Sequence, residues 1–400
     1  MDSWLLDVTR IASRLGRGAL TGIDRVELAY LRYFLHPHFR ISGLLRTPAG
    51  IMLLDRRGLA DLNRWAAGDP LPQGRDLLAR MTRRKSPALG AVEAHLRRGA
   101  VARAPMLLSH RLLATRLPAG TCYLNTGHAN LSGRMLAALK SLPGMKIGVL
   151  VHDTIPLDHP VLVRADGIGP FRQRLQAVAD QADLVIHAAK ATRAQTEAQL
   201  HRLGRVPPGV VAPLGIDQTA PDRAALPRGL DLTGPYFIAL GTIEPRKNHG
   251  LLLDVWDRLA ATGGPLPKLL ILGNRGWADA DTLARLDRGQ PGVQVLSGLS
   301  DGAVAALMQD ARALLFPTLA EGYGLPALEA AALGLPVIAT DLPVFREMLT
   351  DYPVYLASRD IYSWQETVMA FTQGSGFGRK NRRTVPTWPD HFGIVLQALR

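Results

Sequence analysis

A chain of 400 residues with 47 lysines and arginines against 34 aspartates and glutamates carries a formal net charge of +13, and 47% of its residues are hydrophobic. That length favours two or three domains over one, and the balance of apolar and charged residues excludes collagen-like, coiled-coil and wholly disordered chains. The single cysteine, Cys122, cannot form an internal disulfide, which excludes a secreted disulfide scaffold and points to a reducing compartment.

In chain order, the apolar runs 4–8, 51–54, 146–151 and 184–187 read as buried strands, with amphipathic helical stretches at 25–35 and 171–182. From 236 onwards the rhythm is regular. Strands are expected at 236–240, 268–272, 293–296, 313–316 and 336–339, and helices at 249–260, 301–311 and 326–333. Short strands alternating with helices are what a doubly wound parallel sheet produces, so the fold class is layered α/β. The proline- and glycine-rich stretch 204–235 separates the halves. Its later part reads as a linker, and 210–213 as a further strand. The expected domains are therefore 1–215, 216–378, and a basic loop with a final helix over 379–400 that packs back on the first domain.

No run approaches the ~18–20 apolar residues that cross a bilayer. The first residues lack the basic flank and apolar stretch of a secretory signal. The expected location is cytoplasmic, with the inner membrane face as a docking place. The +13 charge implies anionic partners: nucleic acid, anionic lipid or a phosphorylated small molecule. Residues 75–103 hold Arg75, Arg80, Arg83, Arg84, Lys85, Arg97, Arg98 and Arg103 among leucines and alanines at loosely helical spacing. Such a basic amphipathic stretch fits an anionic membrane surface, or else a solvated helical insertion. A second basic cluster, Arg379 to Arg383, follows the glycine-rich 374–378 and reads as a surface loop.

The segment Phe316-Pro-Thr-Leu-Ala-Glu-Gly-Tyr-Gly-Leu-Pro-Ala-Leu-Glu329 leaves a strand, turns, and enters a helix. Pro326 suits the first helical turn and Gly334 the helix end. Backbone N–H groups of Gly322, Tyr323, Gly324 and Leu325 would point from a helix N-terminus, which attracts anions. Glu321 and Glu329 flank that anion site, where carboxylates are best used to accept from sugar or ribose hydroxyls. The segment Gly241-Thr-Ile-Glu-Pro-Arg-Lys-Asn248 leaves a second strand at the same sheet edge. Arg246 and Lys247 there would neutralise a diphosphate in binding and in departure. His152-Asp153 follows the 146–151 strand and is expected to face a cleft between domains. The glycines at 16, 18 and 22 miss the G-x-G-x-x-G spacing by one residue, so a nicotinamide or flavin function is rejected. They are read as a glycine loop before a helix. Metal-site, P-loop and G-x-S-x-G motifs are missing from the sequence; Asp279 and Asp281 have D-x-D spacing but read as a helix start.

Together these residues resemble the retaining GT-B nucleotide-sugar glycosyltransferases, glycosyltransferase family 4 (glycosyl transferases group 1) in particular. The resemblance is densest from 211 to 347, and its most specific part is the E-x7-E element of Glu321 and Glu329. In the first half it is carried by Thr21-Gly-Ile-Asp-Arg25 and Val151-His-Asp153. Tyr323 stands where the family often has Phe. The resemblance implies two Rossmann-like doubly wound parallel-sheet domains facing across a cleft, with the donor held by the second. It implies that Arg246 and Lys247 bind the diphosphate, that Glu321 and the backbone of Gly322, Tyr323, Gly324 and Leu325 hold sugar and phosphates, and that Glu329 accepts from the ribose. His152 would contact the sugar from the first domain, Gly22 would line the floor, and Gly241, Thr242 and Asn248 would complete the donor site. The expected partners are a nucleotide-sugar donor and a glycan or lipid-linked glycan acceptor, with no nucleic acid, no cofactor and no metal. The competing readings are a basic nucleic-acid-binding protein and a catalytically inactive membrane-bound scaffold of the same fold.

Overall fold

The computed structural model describes residues 3–18, 20–83, 86–374, 378–379 and 381–400. Arg84, Lys85 and Lys380 of the two basic stretches lie outside the described residues. Two sheets organise the chain. The first takes β1 Ser3–Asp7, β2 Arg40–Thr47, β3 Gly50–Leu54, β4 Ala102–Ala104, β5 Cys122–Asn125, β6 Lys146–Leu150, β7 Leu184–His187 and β8 Gly209–Val211. Their order is β4-β3-β2-β1-β5-β6-β7-β8. Pairing is parallel from β2 through β8, whereas β3 runs antiparallel to both β2 and β4. This edge departs from an all-parallel expectation because Thr47 pairs with Gly50 across a tight hairpin, a connection that only antiparallel strands accept.

The second sheet takes β9 Tyr236–Leu240, β10 Lys268–Leu272, β11 Val293–Leu296, β12 Leu314–Phe316, β13 Val337–Thr340 and β14 Val354–Leu356, in the order β11-β10-β9-β12-β13-β14, all parallel. β5, β7, β12 and β13 are buried at every residue, which is why they read as unbroken apolar runs or as short stretches with no polar face. Strand order reverses between β1 and β5 in one sheet and between β9 and β12 in the other. Loops leaving the carboxyl ends of such strands diverge and leave a crevice, the usual place for a ligand in this architecture.

The final helix, Trp388–Leu399, lies against the first sheet. Tyr33 and Phe392 stack at 3.7 Å between ring centres, the buried His391 sits 2.7 Å from the Tyr30 hydroxyl, and Lys146 Nζ donates to the carbonyls of Leu399 and Arg400. The basic stretch 75–103 is not one surface helix. It forms helices Leu77–Thr82 and Pro87–Gly99 and then edge strand β4. Part of its charge is turned inward, since Arg83 pairs with the buried Glu93 at 2.8 Å and the buried Arg97 pairs with Asp76. Arg379 and Arg383 are likewise tied down. Arg379 donates to the carbonyls of Leu333 and Met308, and Arg383 donates its backbone N–H to Ala331 O.

Candidate active site

The loop after β9 passes through Gly241, whose φ of +140° suits a glycine, and into a single turn Pro245–Lys247. The turn aims two cations at one carboxylate. Arg246 Nη1 and Lys247 Nζ lie 2.9 and 2.6 Å from Glu321 Oε2, which arrives from the loop after β12. Arg246 also pairs with Glu244 at 2.7 Å and donates to Ala320 O. Burial pushes the Glu321 carboxyl up, but Lys247 and Arg246 outweigh it and hold the group at about 2. Burial pulls the Lys247 ammonium below its ordinary value against the opposing pull of Glu321. Burial acts on Arg246 in the same sense, and there Glu321, Glu244 and Asp153 overcome it and raise the guanidinium.

Beyond Glu321 the chain turns at Gly324, with φ +91°, into helix Leu325–Ala332. Pro326 sits in its first turn and Gly334, with φ +74°, follows its last. The Arg379 guanidinium on Leu333 O places a cation at the helix C-terminus, where the dipole favours it. Tyr323 does not point at a ligand with its side chain: it is buried and its hydroxyl donates to Leu214 O at 2.9 Å, anchoring the turn to the chain between the lobes.

The first lobe supplies the facing wall. Thr21 and Asp24 form a capping box at the start of helix Gly22–Phe34, with the Thr21 N–H and hydroxyl donating to Asp24 Oδ2 at 2.8 and 2.6 Å. Arg10 Nε donates to Asp24 Oδ1 at 2.7 Å and Arg14 Nε approaches Oδ2 at 3.1 Å, so Asp24 ties the glycine loop down. Gly22 then lies against Leu325 of the other lobe, where an added Cβ would be 3.5 Å from Leu325 Cδ1. His152 follows β6, and its Nε2 is 2.7 Å from Thr126 O. Burial lowers its imidazole to about 4, so the ring is neutral at neutral pH. Nε2–H donates to the Thr126 carbonyl and Nδ1 is left as an acceptor. The lobes meet closely here: a Cβ on Gly322 would sit 2.5 Å from His152 O.

These walls enclose a cleft of about 650 Å³. Gly22 and His152 line it from the first lobe. From the second come Gly241, Thr242, Arg246 and Lys247 after β9, Glu321, Gly322, Tyr323 and Gly324 after β12, and Leu325 and Glu329 of the helix. Asn248 does not line it. With φ +55° it caps helix His249–Ala261, and its amide donates to Pro317 O and Ser358 O at 3.3 and 3.1 Å, stitching two loops behind the site. The structure thus places its amide behind the site and not on the cleft wall where donor contact was expected. Among the described residues no three His, Cys, Asp or Glu side chains converge as a metal cage. Asp279 caps helix Ala280–Arg288, as its helix-start reading requires.

Sequence reasoning missed Arg25, whose Nη2 crosses the cleft to Glu329 Oε1 at 2.5 Å. A helix starting at Gly22 puts residue 25 on the face of residue 22, and that spacing was the available signal. It also missed Arg10 on the first wall and Trp277 on the second, over which Arg164 of the first lobe stacks at 4.8 Å, whereas Asp153 lines the cleft beside His152 where the sequence placed it. Burial raises the Asp153 carboxyl, with Arg246 opposing.

Residues 225–376 match the family model described as glycosyl transferases group 1. The chain is 31% identical over 276 residues to the serotype-specific mannosyltransferase WbdA of Escherichia coli, a match covering 62% of this chain and 33% of that protein. It is 31% identical over 142 residues to the O-antigen chain mannosyltransferase RfbU of Salmonella typhimurium, covering 34% of this chain and 38% of that one. The chain thus spans about a third of the length of these curated relatives. Among solved structures, HepE of Anabaena in complex with UDP and glucose superposes with a TM-score of 0.61 at 13% identity, covering 99% of each chain. That likeness shows the fold, two parallel-sheet α/β domains in the GT-B arrangement.

Proposed function

We propose that this chain, which belongs to the group 1 glycosyltransferases, moves a hexose, mannose in the first instance, from a nucleoside-diphosphate sugar to a glycan or lipid-linked glycan with retention of anomeric configuration, in cell-surface polysaccharide synthesis. The observation that carries the reading is the convergence of Arg246, Lys247, Glu321 and the N-terminus of helix Leu325–Ala332 on one cleft, opposite His152 and Gly22. The likeness to WbdA, a serotype-specific mannosyltransferase, and to RfbU, an O-antigen chain mannosyltransferase, supports mannose and a surface polysaccharide.

In this reading the diphosphate lies against Arg246, Lys247 and the free N–H groups that begin the helix. Breaking the bond from the anomeric carbon to the phosphate oxygen leaves both electrons on that oxygen. Preorganised cations and backbone donors in a closed cleft stabilise that charge more in the transition state than in the ground state. The donor hydroxyls meet two acceptors of different character: the ionised Glu321 and the bare Nδ1 of neutral His152. Glu329 takes the ribose, and the acceptor hydroxyl attacks the anomeric carbon from the side the diphosphate leaves, passing its proton to the departing phosphate oxygen. We assign the leaving-group charge to protein groups and not to a metal ion, so activity should survive excess EDTA. The exposed Leu77, Leu78 and Met81, beside Arg80, support placing this face of the first lobe on an anionic membrane from the cytoplasmic side. No helix among the described residues is long and apolar enough to cross a membrane.

A thermal-shift panel of UDP, GDP and their hexose conjugates tests the donor reading. One nucleoside diphosphate and its sugar should raise the melting temperature, and the same donor should then support transfer. A flat panel overturns the reading.

A further inference from the structure

The first lobe carries cations to which the proposed donor site gives no task. Arg10, from the short helix after β1, lines the cleft beside His152. Its side-chain base lies close to the loop after β5, where a Cβ on Gly127 would be 2.8 Å from Arg10 Cβ. The next residue, His128, holds its ring 5.1 Å from that of His152 and 6.2 Å from that of Phe171. Phe171 and Arg174 share one face of helix Ala165–Gln181 and, with His128 and Leu131, rim a depression beside the cleft. The His128–His152 pair therefore joins the cleft wall that holds Arg10 to the depression that holds Arg174.

Their counter-charge is thin. Asp24 is the carboxylate that answers Arg10, and it is shared with Arg14 and with both donors of Thr21. Arg174 is half-buried and spends its Nε on Pro170 O at 3.2 Å, and among the described residues it has no carboxylate partner. Glu27 lies behind Arg10, but burial, with Asp7 adding, pushes its carboxyl well up toward the neutral form. The two histidines do not compete for an anion as cations, because burial lowers both. Burial, and then the neighbouring Arg10, lowers the Arg174 guanidinium, which is the mark of two like charges held near one another. A guanidinium partly out of water and without an acid partner is costly unless an anion arrives to meet it.

We propose that Arg10 and Arg174, joined through the His128–His152 pair, are the anion-recognising part of the acceptor site, so that the acceptor carries a phosphate or a carboxylate near its reacting hydroxyl. The inference rests on the glycosyl-transfer reading for its use of an acceptor, and it names that substrate's charge. The two sources of such an anion, a phosphate linking the glycan to its lipid and an acidic sugar, share the chemistry that two guanidinium groups recognise.

The test is equilibrium binding of three probes at constant ionic strength: glycerol 3-phosphate, methyl glucuronide and neutral methyl glucoside. Saturating UDP or GDP closes the donor site to the phosphate probe. At least one anionic probe should bind ten-fold or more tightly than methyl glucoside. Tighter binding of glycerol 3-phosphate assigns the lipid phosphate, and tighter binding of methyl glucuronide assigns an acidic sugar. Arg174→Gln should remove most of the preference. Arg10→Gln should do the same, but Arg10 also anchors Asp24, so Arg174→Gln is the deciding variant. Equal binding of the three probes, or an Arg174→Gln protein that keeps the preference, overturns the proposal. Failure of both nucleotides to bind would overturn the donor reading instead. The comparison of Arg174→Gln with the parent would still stand, because Arg174 is not on the donor wall.

Discussion

Arg25 and Glu329 belong to different lobes and meet across the cleft at 2.5 Å, each side chain mostly buried. Burial pushes the Glu329 carboxyl above its ordinary range while Arg25 pulls it down. The carboxylate proposed for the donor ribose is therefore already engaged by a cation from the opposite wall, and under that proposal donor entry would exchange this partner for hydroxyls. Glu329→Ala should raise the donor Michaelis constant about 10–100-fold, the loss expected for charge-assisted hydrogen bonds of ~1.5–3 kcal/mol, with a smaller change in kcat. Initial-rate kinetics with varied donor check this. An unchanged donor dependence would remove Glu329 from the ribose site.

Lys247 and Arg246 share Glu321, and Lys247 is the more enclosed of the two, stacked also over the Phe316 ring at 4.7 Å. The leaving-group role proposed for it predicts that Lys247→Ala lowers kcat by at least ~100-fold, the size of effect seen when one preorganised electrostatic donor is lost. Near-normal turnover of a folded Lys247→Ala protein would falsify the assignment. Lys247→Arg should not rescue fully, because a planar fork does not replace a point charge packed on an aromatic face.

How much of this was legible in sequence follows from how local each feature is. β9 through β13 are compact apolar stretches between helices, and the loops after β9 and β12 keep glycine, proline and charge within one strand–turn–helix unit, so they could be read directly. β2 was not, because Arg40, Gly43 and Arg46 interrupt it. Gly43 is needed there, since a Cβ would lie 2.5 Å from Leu59 Cδ2 of the covering helix. β5 and β14 are four and three residues long and leave almost no pattern. The placement of Asn248 was not legible either, because adjacency to Arg246 and Lys247 hides that its left-handed backbone accompanies an amide bonded to the carbonyls of Pro317 and Ser358. The Arg25–Glu329 contact joins residues from opposite ends of the chain, and only the docking of two lobes creates it.

Leu77 and Met81 are 76% and 64% exposed, one turn apart on helix Leu77–Thr82, with the exposed Arg80 between them. If this face meets an anionic membrane, the protein should float with vesicles containing anionic lipid at low salt and be released as salt rises. Replacing both apolar residues, Leu77→Asp with Met81→Asp, should abolish retention while leaving the melting temperature within a few degrees. Indifference to lipid charge would dismiss the membrane role.

Glu347, on helix Pro343–Leu349 of the second lobe, accepts from the backbone N–H groups of Lys190 and Ala191 at 2.7 and 2.9 Å. Those N–H groups open helix Lys190–Arg202 of the first lobe, whose own Ala189 has no capping oxygen in its side chain. Glu347 is thus a helix cap lent across the lobes, with the helix dipole adding to it. Glu347→Ala should cost about 1–2 kcal/mol and lower the melting temperature by several degrees, and Glu347→Gln should recover part of it. A melting curve matching the parent would mean the contact is not held in solution.

His391 is fully buried on the returning helix, and its hydrogen bonds select one neutral tautomer. Nδ1–H donates to the carbonyl of Ala212 at 3.0 Å, so Nε2 accepts from the Tyr30 hydroxyl at 2.7 Å. Burial lowers this imidazole to about 4, while in the unfolded chain it titrates near its ordinary 6.5. The folded state thus binds fewer protons than the unfolded one between those values. Stability from this group is complete above about pH 6.5 and is lost as the pH falls toward 4. His152, His187 and His249 are depressed by burial to about the same value and add in the same sense. Asp7 and Glu27, raised by burial, act oppositely, so the parent's curve alone does not isolate His391. The comparison that does is His391→Gln, which keeps a donor and an acceptor but cannot take a proton. Its melting temperature should start below the parent's at pH 7.5 and fall less between pH 6.5 and 4.5, narrowing the gap. Parallel curves for the two proteins across that interval would mean that His391 is not buried in its neutral form.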